Sequence, residues 1–200
     1  MGSVKQMSEL QNKKVLDFFA EAGLLKRVKR TGWWVVGIKD AETVAEHCFR
    51  CAVIGYVLAE MENVSAEKVV MMCLFHDFAE ARINDAHKMG AYYINYRDAE
   101  TRAFLGQIKN LPKKIKNKLL ALNNTYLQRK TKESIVARDA DILECLLQAK
   151  EYYGQGHSQA KLFFKKAPQF LKSKNAKKLW NDALSWDTSL WWQNLVNFEP

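Results

Sequence analysis

Two hundred residues suffice for one domain with a full hydrophobic core, and 48% hydrophobic against 26% charged residues is the balance of an ordinary globular chain. No apolar run approaches the roughly 20 residues of a membrane span. The net charge of +9 is uneven: eight Lys or Arg and no acid fall between Ile108 and Lys132, and seven Lys and no acid between Lys161 and Lys178.

Such runs suit a nucleic acid, an anionic small substrate or a plain solvated surface, and charge alone does not choose among them. The start, Met1-Gly2-Ser3-Val4-Lys5-Gln6, has neither the apolar core of a signal peptide nor a myristoylation pattern, so a cytoplasmic protein is expected.

With 3 prolines and 9 glycines, the chain reads as helical nearly throughout: an all-α fold in one domain over 1–200. Ser8 is placed to cap a first helix ending at Gly23, and an irregular stretch runs from Lys26 through Trp34 to Asp40. Thr43 followed by Glu46 is a capping box that opens a helix over about 43–61. Ser65 caps a third helix over about 66–82, and shorter ones fill about 95–109 and 112–124. A long helix over about 133–153 stops near Gly154-Gln155-Gly156, and C-terminal helices extend to about 195. Trp180, Trp186, Trp191 and Trp192 are expected to pack that last part onto the core. Cys48, Cys51, Cys73 and Cys145 all fall in apolar helical patterns, as structural reduced thiols; the lone Cys48-x-x-Cys51 lacks a second pair for a zinc site.

Three short pieces carry the unusual residues: Glu42 to His47, His76 to Glu80, and Arg138-Asp139-Ala140-Asp141. A histidine in an apolar helix is ordinarily a satisfied core residue. An adjacent His76-Asp77 pair after Cys73-Leu74-Phe75 is harder to explain that way, because burying an unpaired carboxylate is costly. A divalent cation would relieve that cost, and imidazole with carboxylate suits Mn²⁺, Co²⁺, Fe²⁺ or Zn²⁺. On a continuous helix His76 and Glu80 share a face, which puts Glu80 where a residue that orients or deprotonates water belongs, unless it pairs with Arg82 at the surface. Asp139 and Asp141 compete as the last ligand. Asp139 lies three helical turns from Lys150 on nearly the same face, which should meet solvent. Asp141 aligns with Ala137, Cys145 and Tyr152 on a face that turns inward, and is preferred.

The ordered set resembles the HD superfamily of phosphohydrolases, most closely its 5′-deoxynucleotidase-like branch. The resemblance rests on Leu25 to Trp33, Glu42 to His47, His76 to Glu80, and Asp141-Ile142-Leu143-Glu144 with Gln148-Ala149 and Glu151-Tyr152, spanning 25–153. It implies one divalent metal (Mn, Co, Fe, Zn or Mg) held by His47, His76, Asp77 and Asp141, and hydrolysis of nucleoside 5′-monophosphates, usually deoxy forms. It puts Glu80 in the place of the family's acid/base, Trp33 against the sugar, Asp85 near the sugar 3′-hydroxyl, and Arg30 on the phosphate. Relatives are often homodimers.

The chain departs from the family at Asn84, where a glycine is usual, and in Ala86 to Tyr93, where an apolar residue and prolines are usual. His87 in that loop is a further candidate for the phosphate or a second metal. The reading favours a small nucleotide over a nucleic acid. A triphosphate substrate, a nucleic-acid-binding helical protein and a nucleotide sensor without catalysis are the rivals.

Overall fold

The computed structural model describes residues 9–193 and 195; the expected cap Ser8 lies outside them. Among the described residues there is no strand, only an isolated antiparallel bridge between Lys29 and Thr43, and the fold is all-α as expected. The helices are α1 (Glu9–Leu24), α2 (Val44–Glu62), α3 (Ala66–Phe75), α4 (Glu80–Ile83), α5 (Lys88–Tyr93), α6 (Tyr96–Ile108), α7 (Lys113–Gln128), α8 (Lys132–Gly154), α9 (Leu162–Lys166), α10 (Lys174–Ser185) and α11 (Leu190–Gln193). No helix among the described residues is long and apolar enough to cross a membrane.

Helix α2 is the centre of the packing. Its capping box forms as the spacing predicts: Glu46 N–H donates to Thr43 Oγ1 at 3.2 Å and Thr43 N–H to the Glu46 carboxylate at 2.6 Å, satisfying two otherwise orphaned donors. Cys51, Ala52, Leu58 and Ala59 of α2 then pack with Val69, Met72 and Cys73 of α3 and with Val136, Ala140, Leu143 and Leu146 of α8. Gly55 lets α2 and α3 approach closely, since a Cβ there would sit 2.8 Å from Cys73 Sγ and 3.1 Å from Val69 Cγ1. A second cluster joins Leu25, Val28 and Val44 to Phe78, Phe104 and Ile108, and a third gathers Trp33, Ile38 and Ala41 against Ala149 and Tyr152 of α8.

Three expectations need correction. The helix expected over 66–82 ends at Phe75, and α4 begins separately at Glu80. Asp139 does not face solvent: it is 0% exposed, and its carboxylate accepts the N–H groups of Lys172 at 2.9 Å and Ser173 at 2.6 Å. The segment before α10 covers that face of α8, which a helical wheel of α8 alone does not reveal. Of the four C-terminal tryptophans Trp180 is buried, whereas Trp186, Trp191 and Trp192 are exposed.

Candidate metal centre

Each functional side chain is delivered by a local feature of the chain. Residues 25–30 run along the start of α2, tied by Val44 N–H to Val28 O at 2.8 Å, Ala45 N–H to Leu25 O at 3.2 Å, and Arg30 N–H to Glu42 O at 3.0 Å. This fixes Arg30 beside the start of α2, whose first turns carry His47. After α3, His76 Nδ1 bonds the carbonyl of Cys73 at 2.8 Å, the acceptor that Asp77 N–H would use in a continuous helix. The chain tightens there into three-residue turns, Glu80 N–H to Asp77 O at 3.0 Å among them. The break is why His76 and Glu80 do not share a regular helical face, and it leaves His76 Nε2 directed at the cluster. Helix α8 supplies Asp141.

Four side chains from three elements converge. His47 Nε2 and His76 Nε2 are 3.3 Å apart. Asp77 Oδ2 lies 3.7 Å from His47 Nε2 and 3.2 Å from His76 Nε2, and Asp141 Oδ1 lies 3.4 Å and 3.8 Å from the same two atoms. Donors about 2.1 Å from a common ion stand roughly 3.0–3.5 Å from one another, so the spacing fits a small divalent cation. The donor set of imidazole nitrogens and carboxylate oxygens suits a borderline or hard ion.

Every one of these donors is oriented by a second partner, as metal ligands ordinarily are. Glu144, fully buried, takes the Nδ1 of His47, and a carboxylate there requires Nδ1 to carry the hydrogen, which turns the Nε2 lone pair inward. The carbonyl of Cys73 does the same for His76. Arg138 and the Tyr126 hydroxyl both donate to Oδ2 of Asp141, leaving Oδ1 for the cluster. Arg30 donates to Asp77 Oδ2 at 3.1 Å. Behind Glu144 stands Arg50, which bonds Glu144 at 3.0 Å, Glu151 at 2.7 Å and Gln148 at 2.6 Å. Glu144, Gln148 and Glu151 fall four and three apart, one polar stripe on a largely apolar α8 that meets Arg50 three residues after His47. That periodicity was available in the sequence as the signal for this network.

The electrostatics call for positive charge at the centre. Burial opposes ionisation of Asp77, yet the His76 and Arg30 charges win and hold it at about 2; Arg138 and the imidazoles hold Asp141 well below the usual range against the same burial. Burial and Arg30 oppose protonation of His47, but Asp141 and Glu144 overcome both and raise it to about 10. The surroundings thus stabilise a cation between the imidazoles, whether protons or a metal ion. Cys51 lies within 4.8 Å of His47 and His76, and Cys48 within the same reach of His76 and Asp77. Burial raises both thiols well above 9, so at neutral pH neither is the thiolate that a metal takes as ligand.

Glu80 sits beside this cluster at 7% exposed, and its Oε2 has no hydrogen-bond partner among the described residues. Burial, with the charges of Asp77 and Asp85, pushes its carboxyl up to about 11, so it is a neutral acid with an uncommitted oxygen. Arg82 pairs with Glu21 instead, at 2.5 Å.

The expected substrate contacts divide. Asp85 accepts from Thr31 N–H at 2.5 Å and Thr31 Oγ1 at 3.1 Å, next in sequence to Arg30. His87 caps α5, its Nδ1 accepting Gly90 N–H at 3.1 Å. Both line a cavity of about 410 Å³. Trp33 does not: it is 2% exposed, packed against Tyr152 and Phe163, with Nε1 donating to Glu42 at 3.0 Å. The ring that faces the cavity is its neighbour Trp34, 53% exposed. Asn84 has φ 61° and ψ 167°, a positive φ as the family's usual glycine suggests, but in a region that glycine alone adopts readily.

Known proteins resemble this chain in sequence and in fold. The chain is 31% identical over 151 residues to the 5′-deoxynucleotidase HDDC2 of Dictyostelium discoideum, covering 71% of this chain and 79% of that one. It is 29% identical over 153 residues to the 5′-deoxynucleotidase HDDC2 of Homo sapiens, covering 75% and 74%. The crystal structure of a Pyrococcus horikoshii protein superposes with a TM-score of 0.71 at 28% identity, over 84% of this chain and 95% of the other. Residues 22–181 match the HD domain model, and the chain belongs to the HD-domain family.

Proposed function

We propose that this protein is a metal-dependent phosphohydrolase that releases phosphate from nucleoside 5′-monophosphates, deoxy forms foremost. The observation that carries this reading is the convergence of His47, His76, Asp77 and Asp141 at ion-binding spacing, with a guanidinium and a neutral buried carboxyl beside them. The 5′-deoxynucleotidase relatives support the substrate class.

The four residues would hold one divalent cation, which when bound supplies Lewis acidity for the phosphoryl group. The chain does the rest. Asp77 and Arg30 are 18% and 16% exposed at their side chains, so the centre is open to a ligand on this side. Arg30 has five N–H donors, of which the bond to Asp77 takes one, and the others are available to phosphate oxygens. Water adds to phosphorus as the P–O5′ bond breaks, and Glu80 delivers its proton to the leaving 5′-oxygen. Asp85, held by Thr31 through one oxygen, offers the other to the sugar, and His87 lies along the same wall. Trp33 holds Glu42 and packs on Tyr152 and Phe163, and does not touch the sugar.

The test is phosphate release by metal-stripped protein resupplied with Mn²⁺, Co²⁺, Mg²⁺ or Zn²⁺, on mono-, di- and triphosphates of paired deoxy- and ribonucleosides. Metal-dependent release from monophosphates is expected. Cleavage restricted to triphosphates, or no cleavage with any metal, would contradict the proposal.

A further inference from the structure

The cavity of about 410 Å³ is lined by Thr31 and Asp85, and by none of His47, His76, Asp77 and Asp141. Two consecutive residues link it to the metal centre, since Arg30 bonds Asp77 and Thr31 bonds Asp85 in the cavity wall. Its volume is that of a small-ligand pocket. Two aromatic rings line it from different elements: Trp34 in the turn Thr31–Val36, and Tyr96 at the first residue of α6. Trp34 is 53% exposed, although its neighbour Trp33 is packed away; a bare indole in a cavity wall beside a catalytic cluster has a surface to offer a flat ligand. His87 adds a directional group. Its Nδ1 accepts the N–H of Gly90, so in the neutral ring the hydrogen is on Nε2, a donor.

We propose that this cavity is the subsite for the heterocyclic base of the substrate, with Trp34 as the stacking platform and His87 Nε2–H as a directional hydrogen-bond donor. The inference rests on the phosphomonoesterase reading and adds what that reading leaves open, the part of the nucleotide beyond the sugar. Every base has a π-face, so a stacking site accepts all of them and favours the larger purine rings. Asn84, Ala86, His87 and Gly90, which fall where this chain leaves its family's pattern, also line the cavity.

The experiment compares wild-type protein with W34A, W34F and Y93A, Tyr93 being an exposed aromatic of α5 outside the cavity lining. Substrates are deoxyadenosine 5′-monophosphate and deoxyribose 5-phosphate, which lacks the base. W34A is expected to raise KM for the nucleotide about 5- to 100-fold, the range for losing one stacked base, with kcat and the deoxyribose 5-phosphate kinetics unchanged. W34F should recover most of the loss, and Y93A should behave as wild type. A W34A KM within twofold of wild type, or an equal loss on both substrates, overturns the subsite. If wild type cleaves neither compound, the phosphomonoesterase reading fails and the subsite is decided separately by calorimetry with deoxyadenosine, which has no phosphate. Binding by wild type and not by W34A supports it; no binding by wild type sinks it.

Discussion

The metal centre and the cavity beside it are built in opposite ways. At the centre, α2 and α8 and the end of α3 bring two carboxylates to within 3.8 Å of two imidazole nitrogens, and each of the four donors is pinned by a second partner. At the cavity, the lining comes from residues 27–29, the turn Thr31–Val36, the stretch Asn84–His87, Gly90 of short α5 and Tyr96 of α6, and many of its side chains are half-exposed. On the proposed reading, chemistry that depends on tenths of an ångström would sit on rigid packed elements, and recognition on segments whose sequence can change without disturbing the core.

The same division governed what could be read from the sequence. The helices around the centre announce themselves through Thr43 and Glu46 and through the apolar spacing of α2 and α8, while the set His47, His76, Asp77 and Asp141 was legible through the family resemblance. Two kinds of information were not. A helical wheel knows nothing of what later covers a face, and so Asp139 read as solvent-facing although Lys172 and Ser173 donate to it. The resemblance put Trp33 against the sugar, and a short turn has no period long enough to show that Trp33 goes inward while Trp34 faces the cavity. The split after Phe75 was hidden for a related reason: a side-chain bond from His76 displaces a helical one.

Substitutions sharpen the contrast, beginning with the largest effect. Glu80→Gln keeps the shape and removes the acid; kcat should fall about 10²- to 10⁴-fold with metal content per chain unchanged. The same substitution has a stability signature in metal-free protein. The folded carboxyl holds its proton up to about 11, whereas the ordinary value is 4.5. Between those values the folded state binds the extra proton, so wild-type stability falls as pH rises through this window. Thermal melts across pH 6–9 should therefore show a shallower decline for E80Q; parallel slopes would remove Glu80 as the buried acid.

Glu144→Gln tests the support behind His47. Affinity for Mn²⁺ should weaken about 10- to 100-fold while the fold persists, measured by titration calorimetry; unchanged affinity would make the Arg50–Glu144–His47 chain purely structural. Asp139→Ala should act on stability alone, lowering it by about 3 kcal/mol or more, or about 10 °C in melting temperature, through loss of the hydrogen bonds from Lys172 and Ser173. Smallest is Asn84→Gly at the cavity. Relief of the positive-φ backbone should stabilise the protein by about 1 kcal/mol, read as a higher denaturant midpoint with an unchanged slope.

Asp139 and Asp141 stand two residues apart on one helix, both buried, one serving the fold and the other assigned to the ion. Metal content by mass spectrometry and phosphate release, measured on wild type, D139A and D141A after reconstitution with Mn²⁺, is the most direct test. The account predicts one ion per chain and metal-dependent phosphate release in wild type and D139A, with both lost in D141A. An ion and turnover retained in D141A would contradict it.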